Sequence, residues 1–438
     1  MRPVLPPLLV VILAAGASGS AADWPQFRGP RGDGTSEAAG LPLAWSEAEN
    51  VRWRVPVPGR GRSSPVVLGD RIWLTTAEES LPPPELVAVR LRDHPDPGAV
   101  YVASRVTVRL LCLDRATGKL RYDKELLRLI RPEPVHRLSS YATPTPVAEP
   151  GRVYCDFGAW GTFGLEADTG RVLWECQLPA DHLIGPASSP ALFRDLLLLV
   201  RDGADVQYVA AVNKNTGRLA WKTGRPPIDA ATGNEKKAYS TPLVIEAAGR
   251  WQAIVPGAQW VCSYDPATGE ELWRVRHGRN YSVAPRPVFA HGMVYLSTGC
   301  PAPELWAIRV DGQGDVSGTH VAWRAKGSIP SMSSPLAVGG AIYCVSDNGI
   351  ASCFDARTGQ RLWRRRLGEE HVASPIFAEG RVYCFSRAGK TTVLQAGPQF
   401  VQLAENQLEG AVIATPAVAA GAIFLRTDAR LYCIGKRP

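Results

Sequence analysis

The chain has 438 residues, of which 45% are hydrophobic and 21% are charged, and its formal net charge is +8. This positive charge does not indicate nucleic-acid binding, because only nine of the 49 basic residues are lysine and the arginines are scattered, without an aromatic-basic platform. The nine cysteines follow neither a disulfide framework nor a zinc motif, and the seven histidines are dispersed. Composition therefore predicts no metal centre.

Residues 1–22 are predicted to be a secretory signal peptide. Arg2 supplies the positive start, residues 5–15 form an apolar run too short to span a membrane, and residues 20–22 are small, as a cleavage site requires. We therefore expect an exported protein, periplasmic or extracellular, without a membrane span. Residues 23–50 then form an N-terminal extension.

Residues 51–438 contain two recurring signals. A small residue followed by Pro leads into an apolar segment and a β-rich run, and most of these steps are 40 to 52 residues apart. That period is typical of propeller blades built from four short strands. One interval of 79 residues predicts an insertion at about 78–106, in the first blade. The steps are Ser64-Pro65, Thr143-Pro144, Ser189-Pro190, Thr241-Pro242, Ala284-Pro285, Ser334-Pro335, Ser374-Pro375 and Thr415-Pro416.

The second signal is an acidic or amide residue, a Gly four positions later and an aromatic residue four positions after that, as in FDARTGQRLW at 354–363. The first two residues predict a tight turn in which Gly adopts positive φ and the acidic side chain caps backbone N–H groups. The aromatic ring then lies on the outer strand and is expected to pack on the next blade. The predicted docking residues are Trp53, Tyr122, Trp174, Trp221, Trp273, Trp323 and Trp363, and Phe400 is an eighth outer-strand aromatic.

The two signals are offset along the chain. The strand at 51–57 precedes the first Pro step, and the last step has no aromatic strand after it. The simplest closure has the N-terminal strand complete the last blade, which removes the exposed sheet edges. The sequence thus predicts an all-β, eight-bladed propeller of four-stranded antiparallel blades, and we expect a monomer.

The Asp-x-x-x-Gly-x-x-x-Trp repeat resembles the docking motif of the pyrroloquinoline-quinone-like β-propeller repeat family. The segment DWPQFRGPRGDG at 23–34 resembles the start of exported bacterial members without an assigned role. The resemblance implies one of two functions. Quinoprotein dehydrogenases hold the quinone in the central channel with Ca²⁺, a vicinal disulfide and an aspartate base, whereas other members bind protein or peptide segments without a cofactor.

This chain has no adjacent cysteine pair, and calcium-ligand segments cannot be matched to it. The favoured interpretation is an exported, non-catalytic propeller that has no cofactor and binds a protein, peptide or saccharide partner at one face of the ring. The alternative is a pyrroloquinoline-quinone-dependent oxidoreductase that uses Ca²⁺ in the central channel. No catalytic residue and no metal ligand is predicted.

In a propeller, the loops between blades and between the second and third strands form the channel mouth. Here these loops carry aromatics, cations and carboxylates, which suits either a polar-ligand or peptide site or simply a solvated surface. Asp202 and Asp205 could ligate a hard cation, although capping of the turn at Gly203 is the favoured role. The candidate binding residues are Arg62, His136, Tyr141, Trp160, Asp202, Asp205, Lys237, Trp260, Asn280, Tyr281, Arg286 and Asp347.

A hairpin is predicted around Asn348-Gly349, because a two-residue type I′ turn needs positive φ at both central positions. In that register Cys344 faces Cys353 in a non-hydrogen-bonded pair, close enough for a disulfide in an oxidising compartment. The other interpretation is that both cysteines are small, buried core residues. Their side chains are predicted to face each other in either case.

Overall fold

The computed structural model describes residues 23–436, so the predicted signal peptide lies outside the described residues. Almost all regular structure in this range is β. Eight antiparallel sheets, each with four main strands, form the blades of a ring, which confirms the predicted propeller. In blades 1 to 7 the chain runs from a first strand at one edge of the sheet to a fourth strand, which forms the other edge except in blade 4, where a two-residue strand is added outside it.

The first four blades follow one another in chain order. Their strands are Val66–Leu68, Arg71–Ser80, Arg105–Asp114 and Leu120–Ile130 in blade 1; Val147–Glu149, Arg152–Asp156, Thr162–Glu166 and Val172–Cys176 in blade 2; Ala191–Phe193, Leu196–Asp202, Gln207–Asn213 and Leu219–Gly224 in blade 3; and Leu243–Ala247, Arg250–Pro256, Trp260–Tyr264 and Glu271–Arg276 in blade 4.

Blades 5 to 7 follow the same plan, and blade 8 takes its outer strand from the N-terminal region. Their strands are Val288–Ala290, Met293–Ser297, Glu304–Arg309 and Val321–Lys326 in blade 5; Leu336–Val338, Ala341–Val345, Ile350–Asp355 and Arg361–Arg366 in blade 6; Ile376–Ala378, Arg381–Phe385, Lys390–Gln395 and Gln402–Gln407 in blade 7; and Ala417–Ala419, Ala422–Arg426, Arg430–Ile434 and Val51–Pro56 in blade 8.

The predicted closure of the ring is confirmed. Val51–Pro56 pairs antiparallel with Arg430–Ile434, so both chain ends contribute to blade 8. Trp53 on this strand reaches blade 1, where its indole N–H donates to the carbonyl of Arg115 at 3.1 Å. The same strand therefore completes one sheet and joins it to the next.

The insertion in blade 1 lies between two ten-residue strands. Residues 81–104 hold the helix Pro84–Leu91 and the short strand Val100–Tyr101, which pairs with Val135–His136. The remaining short elements are the 3₁₀ turns Gly158–Trp160 and Gly233–Glu235 and the strand Gly314–Asp315, which adds to the edge of blade 4. Within residues 23–436, no helix has the length and apolar character needed to cross a bilayer.

The docking contact repeats between blades. The Trp174 ring of blade 2 lies over Gly217 of blade 3, and a methyl group added to Gly217 would sit 2.6 Å from a ring carbon. The indole N–H of Trp174 donates to the Lys214 carbonyl at 2.8 Å. The acidic residue of the turn caps the backbone, as when Asp114 accepts the N–H of Thr117 at 2.9 Å. The docking aromatic donates to the next blade in the same way at Trp53, Tyr122, Trp174, Trp221, Trp323 and Trp363.

Two aromatics differ from the predicted pattern. Trp273 is fully buried and donates to Gln252 of its own blade at 2.8 Å, and the strand Gly314–Asp315 pairs beside it. Phe400 precedes its outer strand and packs back on Trp363 of blade 6, with 5.3 Å between ring centroids. The following blade lacks the Asp-x-x-x-Gly turn in both cases, but blade 7 lacks it too and still accepts the Trp363 N–H at the Gly397 carbonyl, so the missing turn alone does not explain the two exceptions.

The predicted hairpin register at Asn348-Gly349 is wrong by one position. Cys344 pairs with Ser352 and Tyr343 with Cys353, so the loop has three residues, and Gly349 closes it at φ 78°. Because side chains alternate along a strand, the two sulfurs lie on opposite faces of the sheet. Cys344 packs towards blade 5 and Cys353 towards blade 7, and both are free thiols.

Candidate functional site

The residue two positions before each first strand lies close to the ring axis. In six blades this is the Ser or Thr of the predicted Pro step, but in two blades the step is different. Thr145-Pro146 replaces Thr143-Pro144 in blade 2, and Arg286-Pro287 replaces Ala284-Pro285 in blade 5, because the strands begin at Val147 and Val288.

Hydrogen bonds link these positions from blade to blade. The backbone N–H of Ser64 donates to the hydroxyl of Thr145 at 2.9 Å, and six of the eight junctions carry such a bond. We call the seven hydroxyl residues the hydroxyl ring. Its members are Ser64, Thr145, Ser189, Thr241, Ser334, Ser374 and Thr415.

A cavity of about 510 Å³ lies on the axis and includes six members of the hydroxyl ring in its wall. The N-terminal extension crosses one end of it. Trp24 bridges to Val67 of blade 1, Gly34 and Ser36 bond to Phe377 of blade 7, and Phe27 between them lines the cavity. We call residues 24–36 the plug.

Two buried arginines hold the plug. Arg286 donates to the Phe27 carbonyl at 2.6 Å and to the Pro242 carbonyl at 2.9 Å. Arg28 donates to the Pro335 carbonyl at 2.8 Å. Neither arginine has a carboxylate partner among the described residues, and burial lowers the pKa of Arg286 to about 9 and that of Arg28 to about 10.

The other end of the cavity is built from the loops that the sequence assigned to the channel mouth. Of the twelve candidate residues, Arg62, His136, Lys237, Tyr281 and Asp347 line the cavity. The Nζ atom of Lys237 lies 5.8 Å from the Tyr281 ring centroid, and burial lowers the pKa of Lys237 to about 8. The structure therefore brings these five residues to one space.

The charged groups of the cavity differ in how well they are partnered. Both oxygens of Asp347 accept the N–H of Ser331, at 3.0 and 3.2 Å, and burial raises the pKa of Asp347. Burial, with the neighbouring Arg60 cation, lowers the pKa of Arg62 to about 10. Burial also lowers the pKa of His136. Within residues 23–436, the Arg62 guanidinium has no hydrogen bond or ion pair, and its Nε is buried without a partner.

Asp202 and Asp205 do not share a site. Asp202 pairs with Arg225 at 3.2 Å, and both side chains are almost fully buried. Asp205 accepts the N–H of Asp181 at 2.7 Å, which joins two loops rather than capping the turn at Gly203.

The other candidate residues bond within or between loops, outside the cavity wall. The Tyr141 hydroxyl donates to the Glu133 carbonyl, and its ring centroid lies 5.4 Å from that of Trp160. Trp260 donates to the Pro227 carbonyl at 3.0 Å, and Asn280 donates to the Thr298 hydroxyl at 2.8 Å. Arg286 holds the plug. These side chains hold the mouth loops together without lining the cavity.

Sequence reasoning missed several cavity residues. The repeated Pro steps predict the start of each blade but do not show that their hydroxyl groups meet at the axis. Phe27 belongs to the extension, and Asp96 and Ala99, which also line the cavity, belong to the insertion. These residues reach the axis through tertiary packing, for which a single sequence carries no signal.

The residues present do not fit the calcium-bound quinone of the dehydrogenases. Within residues 23–436, no three His, Cys, Asp or Glu side chains come together in a way that could hold a metal ion. The acidic side chains of the cavity wall are Asp96 and Asp347, and both Asp347 oxygens accept backbone N–H groups. No step of a quinone reaction can be derived from these groups.

A ring of eight four-stranded blades joined by tryptophan docking is the architecture of the pyrroloquinoline-quinone-like β-propeller repeat proteins. Within that class, the chain belongs to the family described as outer membrane protein assembly factor BamB, whose model matches residues 92–223 and 205–434. The predicted family resemblance is therefore confirmed.

Two curated relatives match parts of the chain. The outer membrane protein assembly factor BamB of Burkholderia pseudomallei is 33% identical over 113 residues, which are 26% of this chain and 29% of that protein. Tetrathionate hydrolase of Acidithiobacillus ferrooxidans is 23% identical over 261 residues, which are 51% of this chain and 48% of that protein. The chain thus spans less than half of either relative.

Two solved structures share the fold. BamB from Moraxella catarrhalis superposes with a TM-score of 0.59 at 12% identity, covering 87% of this chain and 96% of that one. A europium-containing methanol dehydrogenase also superposes with a TM-score of 0.59 at 12% identity, covering 94% of this chain and 91% of that one. At this identity the two likenesses establish the architecture alone.

Proposed function

We propose that the protein is an exported, non-catalytic propeller that binds a protein, peptide or saccharide partner at the face where the axial cavity opens. The observation that carries this proposal is the one-ended cavity. The plug covers one end, and the other end is surrounded by loops that bring Arg62, Lys237 and Tyr281 together. A concave site with a few convergent polar groups is the usual form of a binding site.

Membership of the BamB family supports a protein or peptide partner among the three classes, because that family's description refers to the assembly of outer membrane proteins. It also supports export, since a partner of that kind lies outside the cytoplasm. Export is tested by determining the N-terminal residue of the mature protein. Asp23 is expected, and a mature chain that keeps residues 1–22 would contradict it.

The binding face is tested by photo-crosslinking in the exporting cell. A photo-reactive residue at Tyr281 reports on the mouth, and the same residue at Leu219, a 53% exposed position on the outer strand of blade 3, is the control. We expect a defined adduct at Tyr281 and none at Leu219. Equal adducts at both positions, or none at Tyr281, would contradict binding at this face.

The oxidoreductase alternative has its own experiment. Pyrroloquinoline quinone and Ca²⁺ are added to the purified protein, and the absorbance of the quinone is followed through gel filtration. The same run is repeated without Ca²⁺, and we expect the cation to make no difference to retention of the quinone, because the described residues of the cavity offer no group of carboxylates for it. Stoichiometric retention that requires Ca²⁺ would replace the binding proposal with the redox one.

A further inference from the structure

Unpaired positive charge surrounds the cavity. Arg426 lies close to Arg62, is 2% exposed and, among the described residues, donates only to Ser63 and to the Thr75 carbonyl. Arg28 and Arg286 lie under the opposite end and, in the same part of the chain, donate only to backbone carbonyls. Buried cations are normally paired with carboxylates, and in a low-dielectric interior their fields extend into a neighbouring cavity.

Among residues 23–436, the nearby carboxylates form no ion pair with these four arginines. Asp33 acts electrostatically on Arg28 and Arg286 but pairs with Arg31, and Glu79 acts on Arg62 but accepts the Tyr101 hydroxyl. Asp428, whose field reaches Arg62, accepts the N–H of Ala411 at 2.8 Å and forms no ion pair among the described residues. Asp347 accepts the amides of Ser331 and Met332. Asp96 is exposed at the mouth and acts electrostatically on Lys237 and His136.

The hydroxyl ring adds hydrogen-bond donors whose protons have no acceptor among the described residues. The oxygens of Thr145, Ser189, Thr241, Ser374 and Thr415 each accept a backbone N–H from the preceding blade. None of these five hydroxyl protons is donated to another group in residues 23–436, and all five residues line the cavity. A ligand that fills this space must therefore be rich in acceptors.

We propose that the cavity receives an organic carboxylate, with the Arg62 guanidinium as its bidentate partner and the hydroxyl ring as further donors. This inference rests on the proposed function and names the chemistry recognised at the same site. A guanidinium presents a planar pair of N–H groups that matches the two carboxylate oxygens. The apolar part of the wall, including Phe27, Met332 and Ile413, suits a carbon skeleton rather than an inorganic oxyanion.

Calorimetric titration of the mature protein tests the proposal with succinate, its neutral analogue succinamide and inorganic phosphate. We expect succinate to bind more tightly than phosphate, and succinamide not to bind. Arg62→Gln should weaken succinate binding about tenfold to a hundredfold, the range for loss of a charge-assisted hydrogen bond, and Arg62→Lys should weaken it less. Arg218→Gln, which removes the same charge from an exposed turn, should change nothing.

The source of the carboxylate is tested with end-capped tri-glutamate and tri-glutamine peptides. Binding of tri-glutamate alone, lost in Arg62→Gln, would support an acidic polypeptide segment. Binding of succinate as well would show that a free acid is sufficient. The proposal is overturned if neither carboxylate binds, if phosphate binds as tightly as succinate, or if Arg62→Gln binds like the wild type.

Folding of the variant is itself informative. Because the Arg62 guanidinium has no partner in the part of the chain that the structure describes, Arg62→Gln should melt at the wild-type temperature or above it when no ligand is present. A lower melting temperature would show that the guanidinium supports the fold, which also overturns the inference. Failure here is separable from failure of the proposed function, since the Tyr281 crosslink can persist when no carboxylate binds.

Discussion

At the scale of single residues, two buried histidines make stability depend on pH. The Nε2 atom of His182 accepts the N–H of Ala159 at 2.9 Å, so the ring must be neutral there, and burial lowers its pKa to about 3. Burial likewise lowers the pKa of His277 to about 4. In the unfolded chain both rings take up a proton near pH 6.5.

These values predict the direction of the pH effect. Through these two rings the unfolded chain binds more protons than the folded one between pH 6.5 and 4, so the histidine contribution to stability should fall as pH is lowered through this window. Burial raises the pKa of Glu133 to about 7 and that of Asp202 to about 6, and these carboxyls contribute in the opposite direction. Urea unfolding at stepped pH measures this slope. His182→Gln should remove the contribution of one proton from the slope, leaving those of His277, His371 and the buried carboxyls. A variant slope equal to that of the wild type would contradict the assignment.

The cysteine pair shows where local sequence reasoning stops. Asn348-Gly349 does mark a hairpin, but Ser346 and Ile350 close a loop one residue longer than a type I′ turn, and the Asp347 carboxylate is directed to the amides at 331 and 332. A contact with a different loop thus accompanies the longer turn. Because one step in register moves every side chain to the other face, the predicted facing of Cys344 and Cys353 is wrong.

Thiol counting tests this geometry. With the two sulfurs on opposite faces of the sheet, titration of the denatured, non-reduced protein should find nine free thiols. Seven thiols, with Cys344 and Cys353 recovered in one cross-linked peptide, would show that the two strands pair in the register first expected.

At the scale of the blade, the docking contact can be separated from the turn that carries it. Gly217 and Gly249 both have positive φ, of 70° and 72°, but an added methyl group meets the Trp174 ring at Gly217 and open space at Gly249. Gly249→Ala should therefore cost only the strain of a left-handed residue, about 1 kcal/mol. Gly217→Ala should cost about 1–3 kcal/mol more, because the ring must move.

The midpoints of urea unfolding compare the two variants directly. The Trp174 fluorescence of Gly217→Ala should also shift, since the indole would lose its bond to the Lys214 carbonyl. Equal midpoints would mean that the interblade contact adds nothing to the stability of the ring.

The repeat allowed the blades to be predicted, because the docking ring and the turn glycine recur at fixed spacing. Trp273 is an exception that the repeat does not predict, since an edge strand from blade 5 lies beside the indole. The cavity was less predictable. Arg62 and Lys237 could be assigned to the mouth loops from chain order, whereas Phe27 reaches the axis through a crossing that no local pattern encodes.

At the scale of the whole molecule, the N-terminal region has two separate structural roles. Val51–Pro56 closes blade 8, and the plug joins the first strands of blades 1 and 7 across the axis. Deletions can separate these roles. Removing residues 23–36 leaves every blade complete, whereas removing residues 23–57 also takes away the outer strand of blade 8.

We expect the longer deletion to be far more damaging. It exposes the edge of Arg430–Ile434 and removes Trp53, whose ring packs on Gly118 of blade 1. The protein should therefore melt at a lower temperature and aggregate through the free edge. The shorter deletion should remain monomeric, but Arg28 is then absent and Arg286 loses the Phe27 carbonyl, so the ring should be modestly less stable. Light scattering with thermal melting compares the two. A monomeric long deletion with an unchanged melting temperature would show that the ring does not depend on its N-terminal strand.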